Sequence, residues 1–255
     1  MKKESNMPKF FVTNQNIENK QITIIGNDVN HIKKVLRKKQ GECITICNKD
    51  TYKDYLCEIL KLGEKEITCR IVQELESDAE SNVQISIWQG LPKADKMELI
   101  IQKAVELGCY DITPIEMKRC VVKLNDKDKK KKQERWQKIA EVAAKQSGRN
   151  RVPVIHNTIS IKDICKLYQE YDRVIVAYEK EKENKLRYEL EKIKLANNRN
   201  WKIAILIGPE GGIDETEIEE LKKENVKIVT LGNRILRTET VAFSLLSIIM
   251  YELEK

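Results

Sequence analysis

The chain has 255 residues, room for one large domain or two ordinary ones, and 41% of them are hydrophobic, which excludes a disordered polymer. A net charge of +7 points to a polyanionic partner such as nucleic acid more than to a small metabolite. Two histidines far apart in sequence and seven cysteines with no C-x-x-C pair argue against a His/Cys zinc centre and a Ser-His-Asp hydrolase, so no metal is expected.

The opening MKKESNMPKFF lacks the apolar core of a signal peptide, so a soluble, cytoplasmic chain is expected. Short segments then alternate in the manner of strands: FFV, ITII (22–25), CITIC (43–47), YLCEILKL (55–62) and EITCRIVQ (66–73). Turn residues separate them and one helical insert, NHIKKVLRKK (30–39), interrupts them, which predicts a small β-barrel or sandwich. The polar stretch ELESDAESN (74–82) marks a domain boundary, giving domains 1–73 and 74–255.

Beyond it the pattern becomes strand–helix alternation. VQISIW (83–88) precedes a helix from Lys96 to Leu107 with Met97, Ile100, Ile101, Ala104 and Val105 on one stripe, Asp95 and Glu98 as its capping box, and Gly108 at its end. ITPI, VIVAY (174–178), IAILI (203–207) and KIVTL (227–231) are apolar enough to be buried on both faces, which predicts a mostly parallel sheet in an α/β domain. The lysine run DKDKKKKQERWQK (126–138) reads as a solvated helix start that could lend salt-dependent RNA affinity. FSLLSIIMY (243–251) is about half a membrane span and reads as a buried helix, so no membrane association is expected. The single cysteines lie in apolar stretches and read as reduced core residues.

Two glycine loops carry the chemistry. ILIGPEGGIDETEIEEL (205–221) ends a strand at Gly208 and starts a helix, with Asp214 and Glu217 spaced as a capping box. It is neither GxGxxG nor a Walker sequence, and Glu210 stands where a phosphate cradle needs a cation, so the loop suits a cationic or neutral ligand. VTLGNRILRTETVAFSLLSII (229–249) repeats the arrangement: a strand ends at Gly232, apolar Ile235 and Leu236 lie in the loop between Arg234 and Arg237, and Thr238 caps the last helix with Glu239 in its first turn. One anionic loop and one apolar loop with arginines could enclose an adenine-bearing cofactor.

With GPEGG after one strand and LGNRILRTET after the next, the chain resembles the SPOUT class of RNA methyltransferases. More closely it resembles the bacterial family that methylates N3 of a uridine in 16S ribosomal RNA, uridine 1498 in that RNA's numbering. PKFFV, HIKKVLRKKQGE, LPKADKMELIIQKAVELG (91–108), KRCVVK (118–123) and EVAAKQSGRNRVP (141–153) extend the match over nearly the whole chain. The resemblance implies an N-terminal PUA-like β-barrel that binds RNA. It also implies a trefoil-knotted parallel-sheet C-terminal domain, a homodimer, S-adenosyl-L-methionine as cofactor, and the small ribosomal subunit as partner. It places the cofactor on Tyr178, Ile207, Gly208, Gly211, Gly212, Leu231, Gly232, Ile235 and Leu236, with Glu179 in the remaining loop. A side chain at Gly211 is expected to fill cofactor space. Arg237, Arg149 and Glu210 are the catalytic candidates, Glu239 reads as a helix cap, and Lys9, His31, Arg37, Lys93, Lys96, Arg119 and Gln146 are the RNA-contact candidates. The chain departs from the family pattern at Lys9 (usually arginine), Lys118 (often acidic) and Val241 (usually alanine). A SPOUT ribose 2′-O-methyltransferase and a non-catalytic RNA-binding module remain the alternatives.

Overall fold

The alternating N-terminal segments form one six-stranded sheet, and the apolar segments after them form a second, wholly parallel one. The computed structural model describes residues 9–196 and 200–254, so most of MKKESNMPKFF, read above as carrying no signal peptide, lies outside the described residues. The chain divides into two compact units: residues up to Glu80 together with Ala144–Val152, and Ser81–Ala143 together with the chain from Pro153 onward.

In the first unit β1 (Lys9–Val12), β2 (Ile17–Glu18), β3 (Gln21–Ile25), β4 (Cys43–Asn48), β5 (Lys53–Leu62) and β6 (Glu66–Leu75) lie in the order β1-β4-β5-β6-β3-β2. Only β1 and β4 run parallel; the other neighbours are antiparallel. The period of two sends Ile22, Ile24, Ile44, Ile46, Cys57, Ile59, Ile67 and Cys69 to a common core with Phe10. Each such isoleucine contributes about 1.5–3 kcal/mol by leaving water. Two register shifts between β5 and β6 increase the local twist, as bulges do, and give the curl of a PUA-like sheet. The helical insert is α1 (Asn27–Asn30), continued by a π-helical turn over His31–Val35; it starts earlier than expected because Val29 and Ile32 both reach the core. The division expected after residue 73 would cut β6, which continues to Leu75.

The second unit contains β7 (Gln84–Gly90), α2 (Lys96–Glu106), β8 (Asp111–Glu116), α3 (Asp126–Gln146), β9 (Val154–Ile155), β10 (Ile159–Ser160), α4 (Ile161–Ile164), β11 (Arg173–Ala177), α5 (Leu186–Leu195), β12 (Lys202–Ile207), α6 (Glu215–Lys222), β13 (Val226–Val229) and α7 (Thr238–Leu253). Its sheet runs β10-β8-β7-β12-β11-β13, with β9 also on β8. Ile85, Ile87 and Trp88 of β7, Val174–Val176 of β11 and Ile203–Ile207 of β12 are buried, as strands covered on both faces must be. Trp88 packs edge-on to Tyr171, with ring centres 5.2 Å apart, and at a tilt to Tyr168. The apolar stripe of α2 is buried as expected, and α7 buries Ala242, Leu245, Leu246, Ile249, Met250 and Leu253 while packing on α2.

The start of α2 differs from the expected capping box. Asp95 holds the N-cap position without a side-chain bond to the helix, and Glu98 instead pairs with Arg135 at 2.7 Å. Ala94 just before it sits at φ +51°, in the left-handed region that disfavours a Cβ. Ala94→Gly is therefore expected to stabilise the protein by about 0.5–1 kcal/mol, the strain relieved exceeding the entropy glycine adds to the unfolded chain. Urea unfolding checks this; a lower midpoint would show that the loop carries no strain at Ala94.

After α3, Gly148 at φ +71° turns the chain into the polar interior of the first unit. There the Lys9 ammonium donates to Asp54 Oδ2 (2.6 Å), the Gly148 carbonyl (2.7 Å) and Asn150 Oδ1 (2.8 Å). Arg149 and Glu80 form a two-point ion pair at 2.6 and 3.2 Å, and Glu80 Oε1 also accepts the backbone N–H groups of Asn150 and Arg151. Asn150 Nδ2 donates to the Tyr52 carbonyl, and Ser77 Oγ donates to Asn150 Oδ1. Buried polar groups are tolerable only when satisfied in this way. All seven cysteines are free thiols, and burial pushes those of Cys47, Cys57 and Cys69 up to about 12, which keeps them unreactive.

Candidate functional site

Parallel pairing determines where the loops meet. Ile207 at the end of β12 is in register with Gln89 of β7 and with Ala177 of β11, and Ala177 is in register with Val229 of β13. Four strands therefore end at one level and one edge, and the segments leaving them, at Gly90, Gly208, Tyr178 and Thr230, emerge side by side. Carboxyl ends of parallel strands are where such sheets bind ligands.

A cleft of about 540 Å³ lies there, within the size range of ligand pockets. Every residue expected to hold the cofactor lines it: Tyr178, Ile207, Gly208, Gly211, Gly212, Leu231, Gly232, Ile235 and Leu236. Glu179, Glu210, Lys96, Arg234 and Arg237 share the wall. Ile235 is 86% exposed, an apolar side chain with nothing packed on it.

The glycine turn is held closely. The Gly212 N–H donates to the Pro209 carbonyl at 2.9 Å, and Gly212 itself sits at φ +70°, with Glu179 Oε1 where a Cβ would otherwise come to 2.4 Å of it. Asp214 and Glu217 form the expected capping box of α6, and buried Glu217 also accepts the Lys118 N–H at 2.8 Å. A Cβ on Gly211 would meet Arg119, at 3.1 Å from its Cβ and 3.3 Å from its carbonyl oxygen. The neighbour that limits Gly211 is thus protein, not the open cleft.

Thr238 is not the cap of α7. It is the first helical residue, with Arg237 at the N-cap position, and its hydroxyl accepts from buried Gln89 Nε2 (2.8 Å) and donates to the Gly208 carbonyl (2.7 Å). Gln89 and Gly90 escape a sequence reading because they look like ordinary strand residues; a Cβ on Gly90 would lie 2.7 Å from Pro209 Cδ. A glycine ending a strand beside the glycine loop is the signal that could have exposed it.

Glu210 is more constrained than its loop position implied. Burial alone would raise its pKa, but the bond from its own backbone N–H, the Lys96 ammonium at 3.0 Å and the Lys93 N–H at 3.1 Å together hold it below the usual carboxylate range. It is ionised at neutral pH and correspondingly weak as a proton acceptor.

The other candidates are dispersed. Arg237 is exposed at the cleft and makes no ion pair with a described residue. Arg149 lies buried on Glu80 and Lys9 is buried with its ammonium bonded to Asp54, Gly148 and Asn150, so both side chains are engaged by groups of the first unit and not presented to a ligand as expected. His31 is half-buried with its ring edge-on to Phe10, and Arg37 and Gln146 are exposed. Lys93 is exposed, while Arg119 pairs with Asp214 at 3.2 Å and donates to the Gly211 carbonyl. In the lysine run, Lys129 pairs with Glu116, and Lys127, Lys130 and Lys131 stay exposed. Among the described residues there is no group of three metal-ligating side chains and no helix long and apolar enough to cross a membrane.

Comparison with known proteins supplies the family. The chain matches the RNA methyltransferase domain over residues 79–250 and the RNA methyltransferase PUA domain over residues 24–72. It is 37% identical over 251 residues to the ribosomal RNA small subunit methyltransferase E of Bacillus subtilis, covering 97% of this chain and 98% of that protein. The protein of the same name from Mesomycoplasma hyopneumoniae is 33% identical, covering 94% and 98%. The crystal structure of the Neisseria gonorrhoeae ribosomal RNA small subunit methyltransferase E bound to S-adenosyl methionine superposes with a TM-score of 0.83 at 29% identity, covering 98% of this chain and 99% of that one. A PUA-like curled sheet, a parallel SPOUT-type sheet and relatives that match end to end place this chain in the ribosomal RNA small subunit methyltransferase E family.

Proposed function

We propose that this protein is a cytoplasmic, S-adenosylmethionine-dependent methyltransferase acting on N3 of one uridine of 16S ribosomal RNA, the family's uridine 1498, and working as a homodimer with a trefoil knot in its second unit. The observation that carries the reading is the cleft: both glycine loops and the Tyr178 loop converge on one cavity from strands paired in register. The residues fit the cofactor. Exposed Ile235, with Leu236, offers an apolar wall for adenine, and Glu179 and Glu210 suit a positive sulfonium. When bound, the cofactor supplies an electrophilic methyl group.

The chain's own task is to position and to manage charge, since methyl transfer is an in-line displacement that depends on alignment. Gly208, Gly211 and Gly212 put side-chain-free backbone on the cleft wall, which suits recognition of the cofactor through main-chain groups. Arg237, which pairs with no carboxylate among the described residues, is the donor we assign to a uracil carbonyl, where negative charge grows as N3 loses its proton. Glu210, being a weak acceptor, serves the loop and its field more than proton removal. A uridine in a duplex has N3 occupied by pairing, so the target must be unpaired or flipped out. His31, Arg37, Lys93, Arg119, Gln146 and the exposed lysines of α3 are the surfaces we assign to the RNA backbone.

Incubating the protein with S-adenosylmethionine and small-subunit RNA, then analysing nucleosides by mass spectrometry, should yield 3-methyluridine. A 2′-O-methylated nucleoside instead would assign the ribose methyltransferase reaction. No cofactor uptake by calorimetry would leave a non-catalytic RNA-binding module.

A further inference from the structure

Lys96, expected on the RNA side from sequence, sits between two carboxylates. Its Nζ lies 3.0 Å from Glu210 Oε1 and 3.2 Å from Glu239 Oε2, and the Lys93 N–H adds bonds of 3.1 and 3.2 Å to the same Glu210 carboxylate. Lys96 opens α2, Glu210 is at the apex of the glycine loop and Glu239 is in the first turn of α7. One ammonium thus joins three segments that share no ladder of backbone bonds. A phosphate reaching that ammonium would also meet two carboxylates about 3 Å from it, and their repulsion would offset the attraction.

We infer that Lys96 is a positioning residue of the cofactor cleft, clamping the apex of the glycine loop to the first turn of α7, and that it is not an RNA contact. The inference rests on the reading of the cleft as the cofactor site. The base of the same loop has its own tie, from Thr238 Oγ1 to the Gly208 carbonyl, held in turn by Gln89. Removing the Lys96 clamp leaves that tie in place, so the loop loosens at its apex while the unit stays folded. The consequence falls on cofactor affinity. Lysine is also replaceable here by arginine, which can donate to both carboxylates from a longer arm.

Isothermal titration with S-adenosylmethionine separates the outcomes. Lys96→Met is expected to weaken binding roughly tenfold and Lys96→Arg to stay within about threefold of wild type, the rescue that a general loss of packing would not show. Glu239→Gln, which keeps the Lys96–Glu210 pair, is expected to weaken binding about threefold and serves if Lys96→Met does not fold. The salt dependence of RNA binding should not change in Lys96→Met. Wild-type cofactor affinity in both Lys96→Met and Glu239→Gln, or a salt slope in Lys96→Met shallower by about one phosphate contact, overturns the inference. Wild-type protein that takes up no S-adenosylmethionine overturns the cleft reading itself, and this inference with it.

Discussion

Lys9→Met is expected to cost the first unit about 3–5 kcal/mol, because it leaves a buried carboxylate without its cation. Lys9 and Asp54 are 6% and 5% exposed, the ammonium bonds Asp54 Oδ2, and Oδ1 accepts no hydrogen bond from a described residue, so water cannot replace the ammonium without opening the sheet. The Gly148 carbonyl and Asn150 Oδ1 lose a donor at the same time. Urea unfolding followed by hydrogen exchange in β1, β4 and β5 would register the loss locally. Lys9→Met combined with Asp54→Leu should recover much of it, because a buried pair replaced as a whole by apolar groups is often neutral. Were Lys9 an RNA contact, the single variant would keep its stability and lose RNA affinity, the opposite pattern.

Gly90→Ala should damage the cleft proposed to hold the cofactor more than a substitution in the GPEGG loop itself at Gly211. The new Cβ would stand 2.7 Å from Pro209 Cδ, 2.8 Å from Pro209 N and 3.1 Å from the Gly208 carbonyl carbon, and two of those three atoms are backbone. A flexible side chain could swing aside; the loop can only move bodily. Overpacking of this kind costs about 1–3 kcal/mol, and a displaced loop should bind S-adenosylmethionine tenfold or more weakly, about 1.4 kcal/mol or more. At Gly211 the clash is milder, at 3.1 Å and beyond, so Gly211→Ala should lose less than Gly90→Ala. Calorimetry on the two variants ranks them; equal affinities would mean that the loop position is not what the cofactor reads.

The strands and helices were legible because their burial follows simple periods. Period-two alternation from Ile22 to Cys69 and the stripe Met97–Val105 each state which face is covered. The cleft was legible for a different reason: glycines at the ends of apolar strands mark backbone approach, and parallel strands put such ends together. What sequence could not show are contacts between residues distant along the chain. Thr238 has the chemistry of a helix cap, yet a carbonyl thirty positions earlier claims its hydroxyl. Lys96 reads as one more basic residue until Glu210 and Glu239 are seen beside it. Lys9 and Arg149 look like ligand-facing cations because pattern alone does not reveal Asp54 or Glu80 waiting in the interior.

The return of Ala144–Val152 to the first unit bears on how the chain is made. Residues up to Glu80 contain every strand of the barrel-like sheet, but not the Gly148 carbonyl, Asn150 or Arg149 that satisfy Lys9, Ser77 and Glu80. As the chain leaves the ribosome, N-terminal end first, that sheet can collapse early but cannot close its polar interior until residue 152 has emerged. For the same reason a fragment cut in the acidic stretch 74–82 should behave as a loosened sheet, and a clone meant to isolate the RNA-binding unit has to carry 144–152 with it, spliced in or supplied in trans.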